Sequence, residues 1–124
     1  MMMDLYEDEY VRYEFEDGIL ISKYKTKIID LNIAKHVLSR RLLHFKAPSY
    51  SGLVDYSLVK ETTKEARDFF ATPEAIQNLN AIAVVTDSMI GNMIYNFYLT
   101  ISKPSLPTKL FKSNEEALLW LKSL

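Results

Sequence analysis

The spacing of apolar residues changes from a period of two to a period of about 3.6 in the first half of the chain. Between residues 10 and 15 apolar and polar residues alternate, and Asp17-Gly18 separates this run from a second β-rich run, residues 19–24. An Asp-Gly pair between two such runs predicts a hairpin, because glycine supplies the positive φ that a tight turn needs. Asp30 then provides the N-cap of a helix that runs to about Phe45, and the apolar residues of this helix share one face.

Later segments alternate between short β-rich runs and helices. Strands are predicted at residues 52–56, 81–85 and 108–111, and the unbroken apolar run at 81–85 is typical of a central strand covered on both faces. Helix starts are predicted where capping residues precede apolar ones: Thr62-Thr63, Thr72-Pro73, Asp87-Ser88 and Ser113. We therefore expect one α/β domain over residues 1–124, with an N-terminal β-hairpin followed by alternating helices and strands. Its sheet is predicted to be mixed but mostly parallel, with about five strands and four to five helices.

Composition excludes several classes of protein. The chain of 124 residues is 48% hydrophobic and has no cysteine, which fits a folded domain in a reducing compartment. Its net charge of −1 gives no general attraction to nucleic acid. The most apolar stretch, residues 89–101, is too short to span a bilayer, and the acidic start does not have the pattern of a signal peptide. We expect a cytoplasmic protein with no membrane span and no nucleic-acid partner.

Charged residues are unevenly distributed along the chain. Residues 1–17 carry seven acids and one base, whereas residues 18–54 carry seven bases and one acid. We interpret this pattern as an acidic strand that pairs with a basic strand beside a basic helix face. A site for a polyanion is the alternative.

Stretches in both halves of the chain carry a family resemblance. The earlier ones are Asp17-Gly18-Ile19-Leu20, Leu53-Val54-Asp55 and Glu65-Ala66-Arg67-Asp68. The later ones are Asn96-Phe97 through Lys103-Pro104, Pro107-Thr108-Lys109-Leu110-Phe111 and Glu116-Ala117-Leu118-Leu119-Trp120-Leu121. With these stretches the chain resembles the uncharacterised STAS/SEC14-like, SpoIIAA-like small bacterial proteins over nearly its whole length. The resemblance implies the SpoIIAA-like fold and a relation to anti-sigma-factor antagonists.

The same resemblance implies candidate phosphoacceptors. In phosphorylated antagonists of that class, a serine follows the central strand at the start of a helix. The matching stretch here is Asp55-Tyr56-Ser57, followed by Thr62 and Thr63. The Asp-Ser-Ser-Gly form of the site is missing, and Ser57 precedes the predicted helix by several residues. Ser57, Thr62 and Thr63 are therefore the candidate phosphoacceptors.

Patterns typical of catalytic and metal sites are missing from the sequence. There is no Gly-x-Ser-x-Gly stretch, and the three glycines are isolated, which excludes a glycine-rich phosphate loop. His36 and His44 lie eight residues apart on the polar side of the first predicted helix, which favours solvated side chains over zinc ligands. We expect no catalytic residues, no metal, no cofactor and no enzymatic activity.

One charged residue falls within an apolar helix face. By its helical angle, Arg41 lies among the apolar residues of the first helix, and a buried guanidinium needs a partner because an unpaired buried charge costs several kcal/mol. The expected partner is a carboxylate, either Asp55 or Asp68, and a bound anion is the alternative. We take Arg41, Asp55 and Arg67 as candidate residues for binding a ligand or an anion.

Residues 89–101 form a predicted helix that is apolar nearly all round. One face carries Ile90, Met93, Ile94, Phe97 and Ile101, and Tyr95, Tyr98 and Leu99 occupy much of the other. We predict a two-fold homodimer through this helix, with an interface that includes Met89, Tyr95, Tyr98 and Leu99. The alternative is that Leu119 and Trp120 of the terminal helix cover the second face within one chain.

These expectations favour a non-catalytic regulatory or binding module. It would act through protein–protein contacts with a regulatory partner, with or without a bound anion or small ligand. The alternative is a SEC14-like carrier of a lipid or small hydrophobic ligand. A carrier needs a roomy apolar pocket, and the residues expected to line it are Phe69, Phe70, Met93 and Phe97.

Overall fold

The computed structural model describes residues 4–86 and 106–124. Along the chain its elements are β1 (Leu5–Glu7), β2 (Val11–Glu16), β3 (Ile19–Tyr24), β4 (Ile28–Ile29), α1 (Leu31–His44), β5 (Tyr50–Asp55), β6 (Glu61–Thr62), α2 (Lys64–Phe70), α3 (Pro73–Ile76), β7 (Leu79–Val85), β8 (Thr108–Phe111) and α4 (Asn114–Lys122). Within these residues, six strands form one sheet in the order β1-β2-β3-β5-β7-β8. The sheet is antiparallel from β1 to β3 and parallel from β3 to β8. The predicted α/β class and the mixed, mostly parallel sheet are confirmed.

The N-terminal hairpin forms where the Asp-Gly pair predicts it. Asp17 and Gly18 both have positive φ, 54° and 77°, and Glu16 lies opposite Ile19 across the turn. Two positive φ angles in a two-residue turn match the twist of the flanking strands. The local signal therefore determines both the turn and the register of β2 with β3.

Two small β elements were not expected from the sequence. β1 adds a sixth strand to the sheet beside β2, with Leu5 opposite Glu14, so the expectation of about five strands was one too few. β4 and β6 form a separate parallel ladder, in which Ile28 pairs with Glu61 and Ile29 pairs with Thr62. This ladder ties the connection before α1 to the connection before α2.

Side chains on the two faces of the sheet pack against different helices. We call the face packed on α1 and α2 the major face and the face packed on α4 the minor face. The major face buries the larger cluster: Val11, Tyr13, Leu20, Tyr24, Ile29, Ala34, Val37, Phe45, Tyr50, Tyr56, Val59, Ala66, Phe70, Ile82, Val84 and Leu106. The minor face buries a smaller, wholly aliphatic one: Ile19, Leu53, Ala81, Ala83, Val85, Ala117 and Leu121. The strands β5 and β7 contribute to both clusters, as their apolar sequences indicate.

Candidate functional site

The carboxyl end of the central strand β5 leads into a turn that Asp55 holds in place. Asp55 is 7% exposed, and its Oδ1 accepts hydrogen bonds from the Ser57 backbone N–H at 2.9 Å and from the Ser57 hydroxyl at 2.6 Å. Ser57 itself is exposed. We call residues 55–58 the Ser57 turn. It lies at the edge of the sheet where parallel α/β proteins usually bind ligands.

The other two candidate phosphoacceptors are less accessible than Ser57. Thr62 is 2% exposed, and its hydroxyl has no hydrogen-bond partner among the described residues. Thr63 is half-buried, and its hydroxyl oxygen accepts the Ala66 N–H at 3.2 Å as the N-cap of α2. Of the three candidate residues, Ser57 is the one that is exposed.

Exposed apolar side chains accompany the Ser57 turn. Leu58, the last residue of the turn, is 47% exposed, and Ile28 on the paired connection is 50% exposed. The two connections are held together by backbone hydrogen bonds, including one of 2.7 Å from the Lys60 N–H to the Lys27 carbonyl. This edge of the sheet therefore presents a hydroxyl and apolar side chains on an ordered framework.

Arg41 is buried as predicted, but its partners are not the expected carboxylates. It is 6% exposed. Its Nη1 donates to the Tyr50 hydroxyl at 2.8 Å and to the Gln77 carbonyl at 3.1 Å, and its Nη2 donates to the Ala75 carbonyl at 2.9 Å. The side chain thus joins the last turn of α1 to the C-terminal end of α3. The prediction of a carboxylate partner was wrong.

Topology explains why neither acid reaches Arg41. Asp55 follows Val54 in β5, and because neighbouring residues of a strand point to opposite faces, Asp55 lies on the minor face whereas Arg41 packs on the major face. Asp68 instead accepts a hydrogen bond from Lys64 at 2.8 Å on the exposed side of α2. The third candidate residue, Arg67, donates to the Thr62 carbonyl at 2.6 Å. Arg41, Asp55 and Arg67 therefore share no polar partner in the described part of the chain.

A partly open cavity of about 50 Å³ lies between the major face and the helices α1, α2 and α3. Arg41 and Ser22 are among the polar residues that line it, and Gly52, Phe70 and Ile82 are among the others. The sequence does contain a signal for Ser22 that we missed. Leu20, Ser22 and Tyr24 alternate on the inward side of β3, so a hydroxyl at the middle position must be buried.

Acids near the start of the chain pair with bases, in line with our interpretation of the charge pattern. Glu7 accepts hydrogen bonds from Arg12 at 3.0 Å and from Lys25 at 2.9 Å, and both pairs are exposed. The pairing does not extend across the whole hairpin, however, because Arg12 lies opposite Lys23 in the β2–β3 ladder. The ion pairs therefore stabilise the edge of the sheet near β1 and β2, and opposite charges do not face each other along the whole β2–β3 ladder.

The two histidines are not the solvated side chains that their helical angles suggested. His36 is half-buried and lies 2.6 Å from Asp8, while His44 stacks on Tyr6 with ring centroids 4.6 Å apart. Burial alone would raise the pKa of Asp8, but hydrogen bonds from His36, Tyr6 and two backbone N–H groups lower it to about 2. Both histidines therefore attach the N-terminal strands to α1.

Several predicted features lie outside the described residues. They are the helix at 89–101, the interface residues Met89, Tyr95, Tyr98 and Leu99, the pocket residues Met93 and Phe97, and the helix start at Asp87-Ser88. Among residues 4–86 and 106–124 there is no group of three or more acids, histidines or cysteines that could hold a metal ion. No helix in that part of the chain is long and apolar enough to cross a membrane.

Comparisons with known proteins show the fold and the family. No curated protein matches the chain. A solved structure of an uncharacterized protein from the DUF3478 family of Shewanella loihica PV-4, which has a SpoIIAA-like fold, is similar to this chain, with a TM-score of 0.64 over 90% of this chain and 91% of that chain. The two are 16% identical, so the likeness shows the fold alone, and the predicted SpoIIAA-like fold is confirmed. The family model described as Domain of unknown function (DUF7793) matches residues 13–124, and the chain therefore belongs to that family.

Proposed function

We propose that this chain is a non-catalytic regulatory module that binds a protein partner through the Ser57 turn. The observation that carries the proposal is the exposed Ser57 hydroxyl held at 2.6 Å from the buried Asp55 carboxylate. The exposed side chain of Leu58 beside it provides apolar area for a partner. The SpoIIAA-like fold supports the same proposal, because the resemblance to anti-sigma-factor antagonists implies a regulatory site after the central strand.

The geometry of the Ser57 turn suits control by phosphorylation. A phosphoryl group on Ser57 would bring nearly two negative charges next to the Asp55 carboxylate, which now accepts the hydroxyl proton. Like-charge repulsion would break this hydrogen bond and open the turn. Binding of a partner at this surface would then depend on the phosphorylation state of Ser57.

The absence of catalysis is part of the proposal. A serine nucleophile is usually activated by a histidine, but His36 contacts Asp8 and His44 contacts Tyr6, and the Ser57 hydroxyl donates to Asp55. A carboxylate is a weak base for a hydroxyl, because it binds a proton far less tightly than an alkoxide does. Turnover of any substrate that is abolished by Ser57→Ala would contradict this part of the proposal.

Site-specific crosslinking in the cells that naturally make the protein tests the partner surface. A photoreactive amino acid replaces Leu58, and the matched control carries it at Glu16, which is exposed at the hairpin end of the sheet. We expect a covalent adduct of one discrete mass from position 58 and none from position 16. Adding Ser57→Asp should lower the adduct yield at least fivefold, whereas Ser57→Ala should leave most of it.

Two outcomes of the crosslinking experiment count against the proposal. Equal labelling at positions 58 and 16 would mean that the surface is not selective, and no adduct at position 58 would mean that no protein binds there. The phosphorylation step has its own measurement. Intact-mass analysis of protein from the natural host should show a species heavier by one phosphoryl group, and that species should disappear in Ser57→Ala.

The pockets of the described residues do not favour the carrier alternative. The cavity that Phe70 lines is about 50 Å³, far below the roughly 300–1,000 Å³ of pockets that hold drug-sized or larger ligands. A wider pocket of about 500 Å³ lies beside β1 and β2, but four of its six lining residues are acids, which does not suit a lipid. Phe70 lines the cavity, whereas Phe69 packs beside it, with ring centroids 6.1 Å apart, and is not part of the lining. We therefore do not propose transport of a lipid.

We also propose that the chain forms a homodimer through residues 89–101, because the helix predicted there is apolar nearly all round. The exposure of the terminal helix α4 supports this proposal: Leu119 is 71% exposed, Trp120 packs against Phe111 with ring centroids 5.6 Å apart, and among the described residues Leu119 therefore covers no other segment. Sedimentation velocity at micromolar concentration should give a dimer that Tyr98→Glu converts to a 14.4 kDa monomer. A monomer in the unmodified protein would contradict this proposal, and Leu119→Glu is the control.

A further inference from the structure

The charge of Arg41 has no counter-ion in the described part of the chain. Its three hydrogen-bond acceptors are two backbone carbonyls and one tyrosine hydroxyl, all of which are neutral. Arg41 is 6% exposed, so water does little to solvate it. Neutral dipoles lower the cost of burying a guanidinium but leave its net charge uncompensated. A buried cation of this kind attracts an anion.

Donors remain available on the same side chain. A guanidinium carries five N–H groups in a fixed plane, and three of those of Arg41 are used. The Nε–H and one Nη2–H make no hydrogen bond to the described residues. The Ser22 hydroxyl is also unpaired among these residues, although Ser22 is 6% exposed. Arg41 and Ser22 line the same cavity.

The rest of the lining restricts the chemistry of an occupant. Apart from Arg41, Ser22 and the two tyrosines, the residues around the cavity are apolar or glycine: Leu20, Val37, Leu38, Gly52, Val54, Phe70, Ala75, Ile76, Leu79 and Ile82. An inorganic anion would meet mainly hydrocarbon there and keep few of its hydrogen bonds. A carboxylate offers a planar pair of oxygens to the guanidinium and a hydrocarbon tail to the apolar side chains.

The cavity volume restricts the size of the occupant. One water-sized sphere needs roughly 10–15 Å³ of such space, so a cavity of about 50 Å³ holds about four non-hydrogen atoms. Acetate has four non-hydrogen atoms and propionate has five, so both are close to this size. We propose that the cavity is a binding site for a small monocarboxylate, whose oxygens accept hydrogen bonds from Arg41 and Ser22. The site lies inside the major face and does not depend on the proposed role of the Ser57 turn.

NMR titration of the amide signals of the full chain tests the proposal. Sodium propionate is added at constant ionic strength, with propionamide as the neutral analogue of the same shape and sodium chloride as the simple anion. We expect saturable shifts of the Ser22 and Gly52 signals at millimolar propionate, since a ligand of about five non-hydrogen atoms gains limited affinity. Propionamide and chloride should bind at least tenfold more weakly.

Two variants remove the site in different ways. Gly52→Ala adds a methyl group on the face of β5 that lines the cavity, and its Cβ would lie 3.4 Å from Leu79 Cδ2, an ordinary contact that the fold accepts. It should weaken propionate binding at least tenfold while the rest of the spectrum is retained. Arg41→Met should abolish binding, and Arg12→Met, at a surface arginine outside the cavity lining, is the matched control that should bind as the unmodified protein does.

The outcomes separate the proposal from its competitors. Equal binding of propionate and propionamide would show an apolar cavity without an anion site. Equal binding of propionate and chloride would show a general anion site and overturn the assignment to a carboxylate. If Arg41→Met does not fold, Gly52→Ala and Ser22→Ala still test the proposal. Unchanged propionate binding in both variants would mean that propionate binds outside this cavity. Failure of this titration leaves the crosslinking result at Leu58 unaffected.

Discussion

The major and minor faces of the sheet share the same central strands but are stabilised by different kinds of side chain. The major face buries four tyrosines, Tyr13, Tyr24, Tyr50 and Tyr56, together with the charge of Arg41. The buried cluster of the minor face consists of alanine, valine, leucine and isoleucine only. Buried polar atoms need partners at defined positions, whereas aliphatic side chains need only to be removed from water. The core cluster of the major face therefore depends on specific polar contacts, whereas that of the minor face depends on apolar packing, and the buried Asp55 carboxylate of the minor face belongs to the Ser57 turn.

The largest expected effect tests how strongly each face depends on tight packing. Ile82→Ala on the major face should lower the free energy of unfolding by about 4 kcal/mol, and Leu121→Ala on the minor face by about 2 kcal/mol. Both remove buried methyl groups, but Ile82 lies in a strand held between two neighbouring strands, whereas Leu121 lies on a helix that can shift toward the sheet and reduce the cavity. Urea unfolding measures both values. A loss for Leu121→Ala that equals or exceeds the loss for Ile82→Ala would contradict the ranking. Leu119→Ala, at an exposed position of α4, is the control and should change little.

Asp8 tests whether the edge of the major face depends on pH. Asp8→Asn keeps the shape of the side chain but removes the charge that faces His36, and we expect a loss of about 1–2 kcal/mol near pH 6, since the side chain is still 20% exposed. On folding, the pKa of Asp8 falls from 3.8 to about 2. Its contribution is therefore complete above about pH 4 and is lost as the pH falls toward 2.

Unfolding measured from pH 2 to pH 6 checks the direction of this effect. The stability difference between the unmodified protein and Asp8→Asn should shrink steadily below pH 4. A difference that stays constant down to pH 2 would show that the charge of Asp8 adds nothing. Glu9→Gln, at a neighbouring exposed acid, is the matched control.

Features set by neighbouring residues in the sequence were predictable. The Asp17-Gly18 turn and the N-caps Asp30, Thr63 and Ser113 all occur where the sequence indicates. A cap or a two-residue turn is stabilised by atoms within about four residues of it, so a short window contains the whole cause. The continuous apolar run at residues 81–85 of β7 was equally informative, because burial on both faces leaves no polar residue in that part of the strand.

Features set by tertiary packing were not predictable. Strand β1 has only three residues, and its pairing depends on β2 and on contacts of Tyr6 and Asp8 with α1. The burial of Arg41 could be predicted from its helical angle. Two of its acceptors are the backbone carbonyls of Ala75 and Gln77, and because every residue has a backbone carbonyl, no residue type in the sequence identifies them. The sequence therefore indicated which side chain of the candidate ligand site was unusual without indicating its partners.

A single hydroxyl tests the polar character of the major face. The Tyr13 hydroxyl donates to the Val37 carbonyl at 2.7 Å and links β2 to α1. Tyr13→Phe keeps the ring and removes this hydrogen bond, so unfolding should become easier by about 1 kcal/mol. Calorimetric or urea unfolding measures the change. If the free energy of unfolding does not change, Tyr13 stabilises the protein through apolar burial of its ring alone, as the aliphatic residues of the minor face do.

The smallest expected effect is that of an exposed ion pair, which tests whether burial or position on a helix of the major face determines the strength of a polar contact. Lys64 and Asp68 form an ion pair at 2.8 Å on α2, a helix that covers the major face, but their side chains are 76% and 58% exposed. The nearby Asp68 carboxylate raises the pKa of Lys64, but water screens an exposed pair of this kind, so it contributes little to stability. A double-mutant cycle with Lys64→Ala and Asp68→Ala should give a coupling smaller than the loss from Tyr13→Phe, and the coupling should decrease in 1 M salt. A coupling as large as the Tyr13→Phe loss would show that polar contacts on the helices of the major face are strong even where they are exposed.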